Sequence, residues 1–106
     1  MVGSGRLGSL EELVLLALLR LRDNAYGVTI RRELAERTGK DISIGAVYTT
    51  LERLESKGFV SSRVGEATPQ RGGRAKRYFK IEASGAEALT ASRNSVSRMG
   101  EGLSYV

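Results

Sequence analysis

Apolar and polar residues follow two different periods along the chain, and these periods divide it into helical and extended segments. Residues 9–22, 26–37 and 44–57 repeat apolar side chains every three or four positions, as amphipathic helices do. Residues 59–64 and 75–81 alternate at every second position and contain β-branched and aromatic side chains, which is typical of strands. The pattern therefore predicts three helices followed by a β-hairpin.

Each of these helices carries local start and stop signals. Ser9 and Glu12 have the spacing of a capping box at the start of the first helix. Asp23 and Asn24 are candidate caps for the second helix, and Ser43 is the candidate N-cap of the third. The second and third helices then reach glycines, which readily adopt the left-handed conformation that ends a helix: Gly39 and Gly58.

A final helix is predicted from Ser84, which has capping-box spacing to Glu87. Its serines and glycines predict fraying beyond about residue 99. Apolar residues seven apart, with a methionine between, form a heptad-like seam that indicates pairing. The first helix is apolar over more than one stripe, which two buried faces would explain, one on its own core and one on a partner. We therefore predict a dimer interface on the two terminal helices: Leu13, Leu16, Leu89, Val96, Met99 and Leu103.

Composition excludes several classes of protein. The 106 residues indicate one small domain. Cysteine and histidine are both absent, which excludes disulfides, a Cys/His zinc site and a Ser-His or Cys-His nucleophile, and no cofactor is expected. The apolar run at residues 13–19 follows two glutamates and is far shorter than the ~20 residues that span a bilayer, so we expect neither a signal peptide nor a membrane partner. The lack of cysteine is compatible with the reducing cytoplasm, which is the expected location.

Positive charge is concentrated in the predicted hairpin. The chain has a net charge of +5, and residues 63–80 hold six cations and one anion, which accounts for the whole excess. In the loop, Gly72 and Gly73 lie between Arg71 and Arg74. Glycine lets a backbone approach phosphates closely, and the planar guanidinium of arginine matches phosphate oxygens or enters a narrow minor groove. A solvated charged loop is the alternative interpretation.

The order of elements predicts a winged helix-turn-helix, a mostly α fold with a small β-hairpin. The second and third helices, joined by a short extended segment around Ile42, form the helix-turn-helix, and the hairpin follows as the wing, residues 65–76. The recognition helix, residues 44–57, then enters the major groove by its N-terminal half. Its face outside the core carries small and hydroxylated residues with a flanking cation: Gly45, Ala46, Tyr48, Thr49, Thr50 and Arg53. This pattern suits a DNA groove, but an ordinary exposed helical face has it too.

Four segments together resemble the PadR family of bacterial transcriptional regulators: EELVLLALLR, AYGVTIRREL, ISIGAVYTTLERLESKGFV and TPQRGGRAKRYFKI. The resemblance covers residues 10–89. It implies a homodimeric winged-helix repressor in which Tyr48 approaches DNA, Tyr26 and Gly27 lie near the phosphate backbone, and the terminal helices build the dimer. Some members of the family bind phenolic acids or flat hydrophobic compounds and then release DNA, so such an effector is a candidate partner. Many members have a longer C-terminal helical region than this chain.

We therefore predict a repressor that binds a pseudo-palindromic operator in double-stranded DNA as a homodimer. Residues 1–8 are interpreted as a disordered tail. They contain a Gly-x-Gly-x-x-Gly motif, but no strand precedes it, so it does not indicate a dinucleotide site. Residues 9–82 form the DNA-binding domain, and residues 83–106 the dimerisation helix. The predicted DNA surface comprises the six recognition-helix residues and eight more: Tyr26, Gly27, Ser43, Arg71, Gly72, Gly73, Arg74 and Lys76.

Three other classes are weighed against this prediction. A winged helix used for protein contact tends to have an apolar patch where this chain has a basic wing. An enzyme needs an acid and a base gathered in one cleft, whereas the carboxylates here lie among cations on helical faces. An RNA-binding module needs aromatic side chains free to stack on bases, which the pattern does not offer.

Overall fold

The computed structural model describes residues 6–65 and 75–105. Within these ranges, four α-helices and one antiparallel two-stranded sheet confirm the predicted winged helix-turn-helix. In chain order, the elements are α1 (Ser9–Leu21), α2 (Gly27–Thr38), α3 (Ile44–Ser56), β1 (Val60–Val64), β2 (Arg77–Ile81) and α4 (Ala83–Gly100). One 3-10 turn, Arg22–Asn24, separates α1 from α2.

The hydrophobic core forms around α1, which packs against α2, α3, β2 and α4. These contacts within the chain account for much of the broad apolar surface of this helix. The buried side chains are mainly aliphatic, with one aromatic residue from each side of the hairpin: Val14, Leu15, Ala17, Leu18, Ala25, Ile30, Leu34, Val47, Leu51, Leu54, Phe59, Val60, Phe79 and Leu89. The apolar repeat of α3 is buried at Val47, Leu51 and Leu54, but Ile44 is 39% exposed, because it lies at the first position of the helix.

The N-cap predicted for α2 is wrong, and the N-cap predicted for α3 is confirmed. Tyr26 precedes α2 and its backbone N–H donates to the Thr29 hydroxyl at 3.0 Å, while the predicted caps lie in the 3-10 turn. Ser43 caps α3 as predicted, because its Oγ accepts from the Ala46 N–H at 3.1 Å. Gly39 ends α2 with a left-handed φ of 72°, and its N–H donates to the Ala35 carbonyl at 2.9 Å.

The capping boxes predicted for the two terminal helices are wrong. At α1 the backbone N–H of Gly8 donates to the Glu11 carboxylate at 2.8 Å, one residue before the predicted pair Ser9 and Glu12. At α4 the N-cap is Glu82, and the hydroxyl of Ser84 donates to the Gly58 carbonyl at 2.7 Å. Ser84 therefore fastens α4 to the turn after α3. The helix ends at residue 100, close to the predicted limit.

The segment around Ile42 is not a strand in the structure. Its carbonyl accepts from the Arg31 side chain at 2.7 Å, so the connector is held against α2. A third strand position beside β2 is filled instead by the residues just before α2, since the Phe79 N–H donates to the Ala25 carbonyl at 2.9 Å and Tyr26 bridges to Tyr78. The hairpin is thereby attached directly to the start of α2.

Residues 6–8 are held in place, which corrects the predicted tail at its C-terminal end. The Lys57 ammonium donates to the Arg6 carbonyl at 2.8 Å, and Leu7 packs against the core. The same ammonium donates to both carboxylate oxygens of Glu11 at 2.9 Å. This ion pair joins the start of α1 to the end of α3. Residues 1–5 of the predicted tail lie outside the described residues.

Candidate nucleic-acid interface

The first two turns of α3 present an exposed surface, on which Gly45, Tyr48 and Thr49 are open to solvent and Ala46 is half-buried. Ser43 is also exposed in front of the helix. Ile44, which is 39% exposed, lies one turn before Tyr48 and about 40° around the helix from it. Tyr48, 37% exposed, and Ile44 are therefore the largest exposed side chains of this surface.

One residue predicted for this surface is buried, and another lies one turn further along it. Thr50 is 5% exposed, and its hydroxyl donates to the Ala46 carbonyl at 2.8 Å, because two positions after Tyr48 the helix has turned by about 200°. Arg53 is exposed one turn after Thr49, about 40° around the helix from it, so it lies on the same face. It is close enough to Glu11 to lower the pKa of that carboxyl. Thr50 is not available for base contact, whereas Arg53 extends the exposed face by one turn.

The Tyr48 ring lies directly on the first residue of α2. A Cβ atom placed on Gly27 would lie 2.5 Å from both Cζ and Oη of Tyr48, so the ring occupies the space of the missing side chain. Gly27 itself is buried, and we find it beneath the tyrosine rather than on an open phosphate-facing surface. Sequence reasoning had no means of seeing this contact, because the two residues are in different helices.

The base of the hairpin joins the same surface through Tyr26. The rings of Tyr26 and Tyr78 meet edge to face with centroids 5.4 Å apart. Lys76 lies over the Tyr26 ring at 4.5 Å, and its ammonium donates to the Tyr26 hydroxyl at 3.3 Å. Because Tyr26 adjoins Gly27, one continuous surface runs from α3 across the start of α2 to the hairpin. It places the ammonium group of Lys76 over the half-buried ring of Tyr26.

A second cationic feature lies on the hairpin side that carries Tyr78. Arg63 stacks over the Tyr78 ring at 4.8 Å. A cleft of about 230 Å³ brings together Arg22, Arg63 and Lys80 with Asp23 at the turn after α1. Arg22 was not predicted for this surface, since it comes far earlier in the sequence. The alternation of β2 could have indicated Tyr78, because Tyr78 and Lys80 lie on the same side of the strand.

The predicted wing tip, Arg71, Gly72, Gly73 and Arg74, lies outside the described residues. Of the five wing residues predicted to contact phosphates, Lys76 is therefore the one whose position the structure gives. Gly65 precedes the gap, and its N–H donates to the Lys76 carbonyl at 2.7 Å, which closes the described part of the hairpin.

The predicted dimer residues fall into three groups. Leu13 and Leu16 are half-buried and line an apolar cleft of about 160 Å³ between α1 and α2. Leu89 is 5% exposed and belongs to the chain's own core. The remaining three, at the C-terminal end, are exposed by 66%, 79% and 65%: Val96, Met99 and Leu103. The free part of the seam thus begins after Leu89.

Other kinds of site find no support in the described ranges. Over residues 6–65 and 75–105, no three acidic side chains gather in a way that could hold a metal ion. In the same portion of the chain, no helix combines the length and apolar character needed to cross a membrane.

Comparison with known proteins identifies the family. The model of the transcriptional regulator PadR-like family matches residues 15–91, which is more than half of the chain. This protein belongs to the PadR-like family. The family is one of transcriptional regulators rather than of enzymes, which agrees with the site described above. A search of curated protein sequences finds no match.

Solved structures of PadR-like proteins have the same fold. A PadR-like transcription factor from Bacteroides fragilis is 25% identical, over 87% of this chain and 84% of its own, with a TM-score of 0.75. A PadR family regulator from Clostridium difficile R20291 is 22% identical over 88% and 93%, with a TM-score of 0.71. Bacillus subtilis PadR, solved in complex with operator DNA, is 20% identical over 80% of this chain and 46% of its own, with a TM-score of 0.67.

Proposed function

We propose that this PadR-like protein is a repressor that binds a pseudo-palindromic DNA site as a homodimer. The observation that carries the proposal is the continuous surface from Tyr48 through Gly27 and Tyr26 to Lys76. The first turns of α3 are small enough to enter a major groove. Lys76 beside them is suited to a phosphate of the flanking backbone.

Charge supports the same proposal. The hairpin region holds the chain's whole excess of positive charge, and cations that neutralise phosphates supply much of the affinity for DNA. The arginines on either side of Gly72-Gly73 are proposed to continue the contacts of Lys76 along the backbone. Bacillus subtilis PadR, which has a similar fold, was solved in complex with operator DNA, and this supports DNA as the partner.

A homodimer is proposed through the terminal helices. Val96 and Met99 are exposed on the second half of α4, on the side that also carries Ser92 and Ser95. Small side chains let a second helix approach closely, and the two apolar side chains would be buried by it. A flat hydrophobic effector is proposed to bind in the apolar cleft between α1 and α2, which Leu13 and Leu16 line.

The test begins with selection of bound duplexes from a random pool, followed by fluorescence anisotropy on the selected site and on a scrambled duplex. Tyr48→Ala is expected to weaken the selected site about tenfold, the loss of roughly one base contact, and to leave scrambled DNA unchanged. Lys76→Gln is expected to weaken both duplexes and to reduce the log–log salt slope by about two for a dimer.

Lys40→Gln is the matched control, because Lys40 is an exposed cation beyond the opposite end of α2 from Tyr26. It should leave both affinities unchanged. Enrichment of no sequence by the wild type would refute the proposal and favour a winged helix for protein contact. Repression, as opposed to activation, predicts that a reporter behind the selected site becomes more active when this protein is removed.

A further inference from the structure

Gly27 and Tyr48 fit together more closely than any side chain at position 27 would allow. A Cβ atom on Gly27 would lie 2.5 Å from Cζ and Oη of Tyr48 and 2.8 Å from Cε2. Carbon atoms in favourable contact lie about 3.5–4.0 Å apart. With even a methyl group at position 27, the end of the ring would have to withdraw by roughly 1 Å.

The backbone gives no reason for glycine at this position. Gly27 is the first residue of α2, and it is absent from the residues with a left-handed φ. Other residues form helices better than glycine does. What glycine provides at position 27 is space, and the atoms that fill this space belong to Tyr48.

We propose that Gly27 is the positioning residue for Tyr48, which it holds in the orientation that reads DNA; this inference rests on the proposed function. Tyr48 is 37% exposed, so the ring has one side against Gly27 and another free for a base. Binding groups must be held within about 0.5 Å of their working geometry to contribute fully. A ring fixed before binding also loses less conformational entropy when DNA arrives.

This role differs from a contact between Gly27 and a phosphate. A backbone amide that meets a phosphate acts equally on all DNA sequences and is independent of Tyr48. A seat for the ring acts only through the ring and therefore only on the selected sequence. The burial of Gly27 beneath Tyr48 favours the second role.

A double-mutant cycle separates the two roles, with Gly27→Ala, Tyr48→Ala and the combined variant measured on the selected duplex and on scrambled DNA. Gly27→Ala is expected to weaken the selected site about tenfold, as loss of one base contact would. In the Tyr48→Ala background the same change should have no further effect. Binding to scrambled DNA should be equal in all four proteins.

Thermal unfolding shows whether the variants fold. The end of a side chain can swing aside, so Gly27→Ala should unfold at the wild-type temperature or slightly above it. Val28→Ala, an exposed change in the same turn, is the control and should bind as the wild type does. If Gly27→Ala weakened binding equally in the wild-type and Tyr48→Ala backgrounds, the positioning role would be overturned. The proposal that the protein binds a specific DNA site would stand. Absence of specific binding by the wild type would overturn both proposals.

Discussion

The Glu11 carboxylate joins the residues before α1 to the end of α3, because it accepts from Gly8 and from Lys57, and Lys57 also donates to Arg6. Burial disfavours its charged form. The hydrogen bonds from Gly8 and Lys57, together with the charges of Lys57 and Arg53, outweigh burial and lower the pKa of Glu11 from its ordinary value of 4.5. A carboxyl with a lowered pKa stabilises the fold above the ordinary value, and this contribution is lost as the pH falls through the folded-state pKa.

The expected consequence is a difference in stability that depends on pH. Glu11→Gln should unfold at a lower temperature than the wild type at pH 7, because the Lys57 ammonium loses its anionic partner. The gap should narrow as the pH falls below about 4.5, where the wild-type carboxyl becomes protonated as well. Thermal unfolding followed by circular dichroism between pH 7 and pH 3 measures it. Glu36→Gln, at an exposed acid on α2, is the control; a gap of constant size would contradict the linkage.

Single residues also set the limit of what the sequence could predict about the site. The exposure of Tyr48 was predictable, because the apolar repeat of α3 runs through Val47, Leu51 and Leu54 and leaves position 48 outside it. Thr50 is a threonine like its exposed neighbour Thr49, but it is buried, and only its angle around the helix distinguishes the two. The seat of the ring, Gly27, was predicted for a different role, since a contact between two helices cannot be deduced from spacing along one of them.

The helices and strands themselves were largely predictable, because their apolar periods and their glycine stops are local signals. Their caps were less so. Ser43 was right because its side chain bonds within its own helix. The capping boxes at Ser9 and Ser84 were wrong because distant residues decide both ends: Lys57 binds Glu11 at one, and the Gly58 carbonyl takes the Ser84 hydroxyl at the other.

The start of α4 depends on a close approach to the turn before β1. A Cβ atom on Gly85 would overlap the carbonyl oxygen of Phe59, a backbone atom that cannot swing aside. That carbonyl also accepts from the Glu82 N–H at 2.8 Å, so both ends of the contact are fixed. Gly100, at the other end of the same helix, has nothing within 4 Å of its corresponding position.

These two glycines form a matched pair for substitution. Gly85→Ala should destabilise the protein by about 1–3 kcal/mol, as overpacking of a fixed contact does. Gly100→Ala should be neutral or stabilise by up to about 1 kcal/mol, because alanine favours the helix and meets open space. Urea unfolding compares the two with the wild type. Equal effects would mean that α4 is not pressed against Phe59 in solution.

The described structure is elongated, with extents of 56 × 35 × 21 Å. The elongation agrees with the division of α4, whose Leu89 is in the core while Val96 and Met99 are exposed. Exposed apolar side chains in a group of this kind indicate an interface. A second copy is the proposed partner, because a symmetric DNA reader needs two recognition helices about one turn of DNA apart.

Association through this end of α4 can be tested without touching the DNA surface. Val96→Asp/Met99→Glu should turn the dimer into a monomer in sedimentation velocity at micromolar concentration, because two charges would have to be buried in the interface. Affinity for a site with both half-sites should then fall to that of a single half-site. Asn94→Glu is the control, since Asn94 is exposed and lies about 140–160° around α4 from these residues. A wild type that sediments as a monomer would refute the homodimer, whereas a double variant that remains a dimer would place the interface elsewhere than on α4.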